Sequence, residues 1–166
     1  MAMTPNGMAS TIIGRISGST DAYDANSKFY SALCDYVEGN AEVYYGWAAT
    51  NSMGSPDPQV IIKATIKTTG SLSPNGATTC ESALSLFSAD LNQNASQWQI
   101  VWPAGFSLSP AFVIPNINIT PSMATEQQSA MLAVCTQIIA GIKQATPTAP
   151  GTHFSYTGTA SFTQII

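Results

Sequence analysis

The residues best equipped for chemistry are few and scattered. The chain holds one histidine, His153, in the stretch GTHFSY, so any His-pair metal site and most His-dependent triads lack material. Asp21, Asp24, Asp35, Glu38 and Glu42 lie close in sequence. Asp21 and Asp24 with Asn26 bear a faint likeness to a calcium loop, but the glycine and bidentate glutamate of such a loop do not follow at the required places. These acids read as helix starts and a solvated face. Cys34, Cys80 and Cys135 are odd in number and far apart, without C-x-x-C spacing. Each sits among Leu, Val or Phe at helical spacing, the pattern of buried structural thiols rather than of a thiolate exposed beside His or Lys. No G-x-S-x-G elbow, P-loop, dinucleotide fingerprint or H-E-x-x-H occurs. The expectation is a protein that is not an enzyme and uses no metal or cofactor.

Composition points to a different kind of work. At 166 residues and 17.4 kDa the chain suits one domain, 1–166. Apolar residues make up an ordinary 45%, yet charged residues are only 8%, against roughly 25% in soluble proteins. After Asp90 only Glu126 and Lys143 carry charge. A free monomer normally keeps more charge for solubility; surfaces covered by neighbours do not need it. Five basic residues in a chain of net charge -4 form no stripe able to follow a phosphate backbone, which excludes nucleic acid as a partner. No apolar run approaches the roughly 18 residues of a membrane span. The opening MAMTPNGMAS has neither a basic nor an apolar signal region, so synthesis in a cytoplasm is expected. The acceptor-like NAS at 94–96 and NIT at 118–120 are chance matches in an Asn-rich chain.

The elements follow from capping and periodicity. Thr4-Pro5, Ser73-Pro74 and Thr120-Pro121 each pair a capping oxygen with a proline that lacks the N–H orphaned in a first turn. Behind them run the stripes Met8, Ile12, Ile16; Cys80, Leu84, Phe87, Leu91; and Met131, Val134, Cys135, Ile138, Ile142. Thr125 with Gln128 has capping-box spacing for the last. The first helix should end near Ser17 and the last before Pro147. Asp21 and Asp24 open another helix, with Phe29, Leu33 and Val37 on one face and a stop at Gly39-Asn40. QVIIKATIK sets Val60, Ile62, Ala64 and Ile66 inward, and QWQIVW sets Trp98, Ile100 and Trp102 inward, both at strand period. FVIPNINI, broken by Pro115, suits an edge. HFSYTG and ASFTQII form a hairpin about Gly158, and EVYYGW is either a short strand or a helix end. The fold class is α+β, short capped helices on antiparallel sheet. The order of helix, helix and Thr-rich strand is written twice, which would make 1–72 and 73–166 repeat halves forming two pseudo-symmetric lobes.

Taken together, the opening TPNGMA, the helix–strand unit used twice, the low charge and the terminal YTGTASFTQII resemble the small virion structural proteins of tailed bacteriophages. The similarity is one of layout across most of the chain. It implies a non-enzymatic subunit, a capsid decoration or tail, neck or baseplate part. Such a subunit would assemble with other virion proteins as a homo-oligomer or as repeated copies on a particle, localised in the virion after synthesis in the host cytoplasm. The candidate interface is Trp98, Trp102, Phe106 and Phe112 in the segment between the matched halves, with Phe162, Ile165 and Ile166 of a C-terminal strand free to pair with a neighbour's sheet edge. The competing reading is a small-ligand or carbohydrate-binding module that uses the Trp-rich segment 98–112 as a stacking platform.

Overall fold

The computed structural model describes residues 2–70, 80–109, 117, 119, 120, 126–144 and 148–166, without the side chains of 22, 23 and 80–87. Four helices accompany six strands: α1 Pro5–Ile16, α2 Ala22–Asn40, β1 Val43–Thr50, β2 Ile61–Lys67, α3 Cys80–Ala95, β3 Gln99–Val101, β4 Phe106–Leu108, α4 Gln127–Ile142, β5 Thr148–His153 and β6 Tyr156–Ile165. The fold is α+β, with one curled antiparallel sheet in the order β3-β2-β1-β6-β5-β4.

The first two helices start where the capping residues place them. Thr4 Oγ1 accepts from the Gly7 N–H at 3.2 Å, with Pro5 in the first turn. Gly7 has a second use, because a Cβ there would meet the Tyr36 hydroxyl at 2.6 Å. That hydroxyl accepts from the Thr4 N–H at 2.9 Å and so ties α1 to α2. Asp21 caps α2 through the Asp24 N–H at 2.8 Å, and Met8, Ile12, Tyr30, Leu33 and Val37 bury the shared face. The last helix departs from expectation. It begins at Gln127 behind Glu126, which makes no side-chain cap, while Thr120 is held by Gln137, whose Oε1 accepts its N–H at 2.8 Å. Thr125 and the Ser73-Pro74 start lie outside the described residues, as do the side chains of Cys80, Leu84 and Phe87.

EVYYGW is a strand, β1, and Ile62, Ala64 and Ile66 of β2 are buried as the alternation predicts. Val60 precedes β2 and is exposed. The chain's end differs more. Gly158 lies inside β6, and the hairpin turns at Phe154-Ser155. β6 is not open to a neighbour, because β1 pairs along one side of it and β5 along the other. Even Ile166 exchanges both backbone hydrogen bonds with Glu42, at 3.0 and 3.1 Å. Between Tyr44 and Tyr45 the register on β6 slips by one residue at Thr163. This bulge lets Phe162 and Ile165, three apart, share the inner face with Ala160.

The sheet cannot be flat. β3 and β4 stand at opposite ends of the strand order, about 24 Å apart if six strands lay side by side at the usual spacing. Only Trp102–Gly105 join them, a link whose reach is at most about 18 Å. The outer strands must curl toward each other. The buried side chains of sheet and helices form one cluster on the inner face.

Close backbone approach around β6 gives a test. A Cβ on Gly158 would meet the Ala48 carbonyl oxygen at 2.0 Å, whereas one on Gly46 meets nothing nearer than 3.9 Å. Gly158→Ala should destabilise by on the order of 2 kcal/mol through overpacking, and Gly46→Ala should be neutral or mildly stabilising. Chemical denaturation of the two variants checks the contrast.

Candidate functional site

Most of the aromatic and terminal residues singled out in the sequence belong to the core. Trp98 is 2% exposed and its indole N–H donates to the Tyr30 hydroxyl at 3.3 Å; that hydroxyl in turn donates to Thr69 O at 2.7 Å. Trp102 is half-buried, its ring centroid 4.8 Å from that of Tyr45, and Phe162 meets Tyr45 edge-on at 6.0 Å. Ile165 is buried and Ile166 half-buried. Phe112 lies outside the described residues. The indoles of Trp98 and Trp102 therefore offer no exposed stacking platform. Two polar atoms in this interior, Tyr45 Oη and Trp102 Nε1, have no partner among the described residues, at a cost of about 1–3 kcal/mol each.

The acidic set is dispersed. Asp24 pairs with Lys28 at 2.8 Å, Asp35 with Arg15 at 2.5 Å and Glu42 with Lys63 at 2.7 Å. Glu38 accepts from the Thr68 N–H at 2.8 Å. Lys63, with the Tyr44 hydroxyl, lowers the Glu42 pKa to about 2. Among the described residues no three His, Cys, Asp or Glu side chains converge as metal ligands. Burial pushes the Cys135 thiol up to about 12 and raises that of Cys34 as well, which disfavours the nucleophilic thiolate.

One constellation does form, at the end of the curled sheet where β1 leaves, β5 turns into β6 and β4 begins. Phe106, His153 and Tyr156 face each other in register across β4, β5 and β6. The β1–β2 loop delivers Asp57 beneath them. Asn51 Oδ1 accepts the N–H groups of Met53 and Ser55 at 3.0 Å, Gly54 takes positive φ, and the Asp57 N–H returns to Ala49 O at 2.9 Å.

Asp57 is the anchor of this end. Its side chain is 2% exposed, and a buried carboxylate is tolerated only when hydrogen-bonded. Oδ2 accepts from Trp47 Nε1 at 2.9 Å and from His153 Nδ1 at 2.5 Å; Oδ1 accepts from the Gln59 N–H at 3.0 Å. Burial works to raise the Asp57 pKa, but the bonds from Gln59, His153 and Trp47 outweigh it and hold the carboxyl below its ordinary range. The His153 ring lies flat on Phe106, centroids 4.0 Å apart at 8°, and Phe106 meets Trp47 edge-on at 5.5 Å.

With Nδ1 against Asp57, a neutral His153 presents Nε2 as an acceptor. Neither that nitrogen nor the Tyr156 hydroxyl bonds a protein group among the described residues. The arrangement orients an imidazole, and among the described residues no nucleophile bonds it. His153 was legible from the sequence as the lone histidine. Asp57 and Trp47 were not, because 96 residues separate Asp57 from His153 and only strand order brings them together. The chain matches no family model, no curated protein and no solved structure.

The depressed Asp57 pKa sets the sign of a pH effect. Its contribution to stability is present above the unfolded value of about 3.9 and is lost as pH falls through the lower folded value. Asp57→Asn should unfold more easily than wild type near neutrality, and the gap should close in acid. Thermal unfolding followed by tryptophan fluorescence across that range checks it; a gap independent of pH would contradict the assignment.

Proposed function

We propose that the protein is a non-enzymatic structural subunit of a tailed-phage virion, a capsid decoration or tail, neck or baseplate part that associates with copies of itself or with other virion proteins. The observation that carries this reading is the outer face of the sheet. None of β1, β5 and β6, three adjacent strands, contains Asp, Glu, Lys or Arg. Their outward positions align in rows: Thr50, Thr157 and Thr152; Ala48, Thr159 and Pro150; Gly46, Ser161 and Thr148. All but the half-buried Gly46 are exposed. Beside them Val60 and Ile61 are 63% and 59% exposed.

A solvated face would normally mix charges of both signs. A face of hydroxyls, methyls and glycine instead suits repeated contact, since association cores are depleted in charge and each hydroxyl both donates and accepts. The layout shared with small virion proteins supports the same role, with localisation in the virion after synthesis in the host cytoplasm. Several ionisable groups are meanwhile paired within the fold, as Asp57 with His153 and Glu42 with Lys63.

Association through this face should resist salt, because it contains no ion pairs to screen as the Debye length falls from about 10 Å at 0.1 M to 3 Å at 1 M. Light scattering on concentrated protein should give a mass above that of the monomer at both salt levels. Thr159→Lys, which sets an unpaired charge in the middle row, should reduce the mass to the monomer's without altering the circular dichroism. A monomer under all conditions, or a variant that still associates, overturns the reading.

A further inference from the structure

The β5–β6 turn carries a side chain that the fold does not require. Phe154 is 76% exposed and adopts φ 50°, at the first turn position, where glycine is the usual occupant of a two-residue hairpin. Positive φ strains a bulky residue, and such strain persists only where surrounding structure enforces it. The enforcement is visible. The Phe154 N–H donates to Gly105 O at 3.2 Å, and one side of its ring lies against Gly105, where a Cβ would meet Cζ at 2.6 Å. Gly105 itself takes φ 90°. The chain thus keeps a glycine at 105 to seat an aromatic ring at 154, leaving most of that ring in solvent.

Next to this ring stand two hydrogen-bonding groups. The His153 ring centroid is 4.8 Å from that of Phe154 and 6.5 Å from that of Tyr156. The His153 side chain is 15% exposed. Its Nε2 and the Tyr156 hydroxyl are unused by protein groups among the described residues, and neither is among the fully enclosed polar atoms without a partner. Asp57 holds Nδ1, so that a neutral imidazole presents Nε2 as an acceptor, and Phe106 stacked behind the ring fixes its plane.

We propose that this turn is a binding site for a neutral saccharide, with a pyranose ring stacked on Phe154 and its hydroxyls bonded to His153 Nε2 and the Tyr156 hydroxyl. A flat apolar ring beside one acceptor and one donor–acceptor matches a sugar, which has an apolar face and a rim of hydroxyls. Among the described residues the carboxylate nearest this ring, that of Asp57, is enclosed and already bonded to Trp47, His153 and Gln59, which favours a neutral ligand. The proposal is independent of association through the outer sheet face, because His153 and Tyr156 face inward at the sheet's end.

The test is a titration of the whole protein with maltotriose, cellotriose and triacetylchitotriose at millimolar concentration, following the ring signals of His153 and Phe154 by NMR. At least one sugar should shift both rings in a saturable manner. Phe154→Gly should abolish the response while leaving the thermal midpoint unchanged or higher, since glycine relieves the positive φ. Tyr156→Phe, which keeps the ring, should weaken binding about tenfold through loss of one hydrogen bond. Silence with all three sugars, or shifts that survive in Phe154→Gly, overturns the proposal. So does a response confined to an apolar peptide, which would make Phe154 a knob for docking protein.

Discussion

A link of four residues between strands at opposite ends of the sheet order is the constraint on which this structure depends. Trp102–Gly105 joins β3 to β4, and its limited reach forces the six strands to curl until the outer two lie within about 18 Å. These two strands have only three residues each, so little unpaired backbone remains at either edge. The curl creates an inside and an outside with different chemistry. Trp102 turns inward onto Tyr45, the helices complete the core on that face, and the outward residues of β1, β5 and β6 become one uninterrupted surface.

At the open end the curl sets Trp47, Phe106 and His153 around a single enclosed carboxylate. Asp57 needs three donors to remain charged there, and each comes from a different element: Trp47 from β1, His153 from β5 and the Gln59 N–H from its own loop. Removing the carboxylate would leave two buried N–H groups without an acceptor, which costs more than the lost bonds alone. The chain's one histidine is thereby fixed in place and plane. Rigidity of this kind suits a recognition surface as well as it suits a structural corner.

Local physics made several elements legible before the fold. Thr4, Asp21 and the alternation of Ile62, Ala64 and Ile66 act within a few residues, and the caps and buried faces stand where these signals put them. Signals of longer range were not legible. The stretch FTQII has the composition of a free edge, and nothing local tells that β1 and β5 flank it. Glycine is the usual sign of a turn and points to Gly158, yet Phe154 takes the positive φ and Gly158 serves close strand packing. Thr120-Pro121 has the form of a helix start; Thr120 is held by Gln137, and 121–125 lie outside the described residues. Strand alternation sets Trp98 and Trp102 inward, and both pack in the interior; the same lack of charge that would suit an interface is equally the mark of a core. At the candidate site, His153 was visible as a singular residue, and its partners were hidden by sequence distance.

The central claim is that the uncharged outer face of β1, β5 and β6 is where subunits meet. Its methyl groups offer a native probe. With threonine methyls labelled for NMR, spectra of dilute and concentrated protein can be compared at constant salt. The account predicts that Thr50, Thr152, Thr157 and Thr159 shift or broaden on concentration, while Thr20 and Thr136, exposed on the helical side, stay unchanged. Changes confined to Thr20 and Thr136, or none at any concentration, would contradict it.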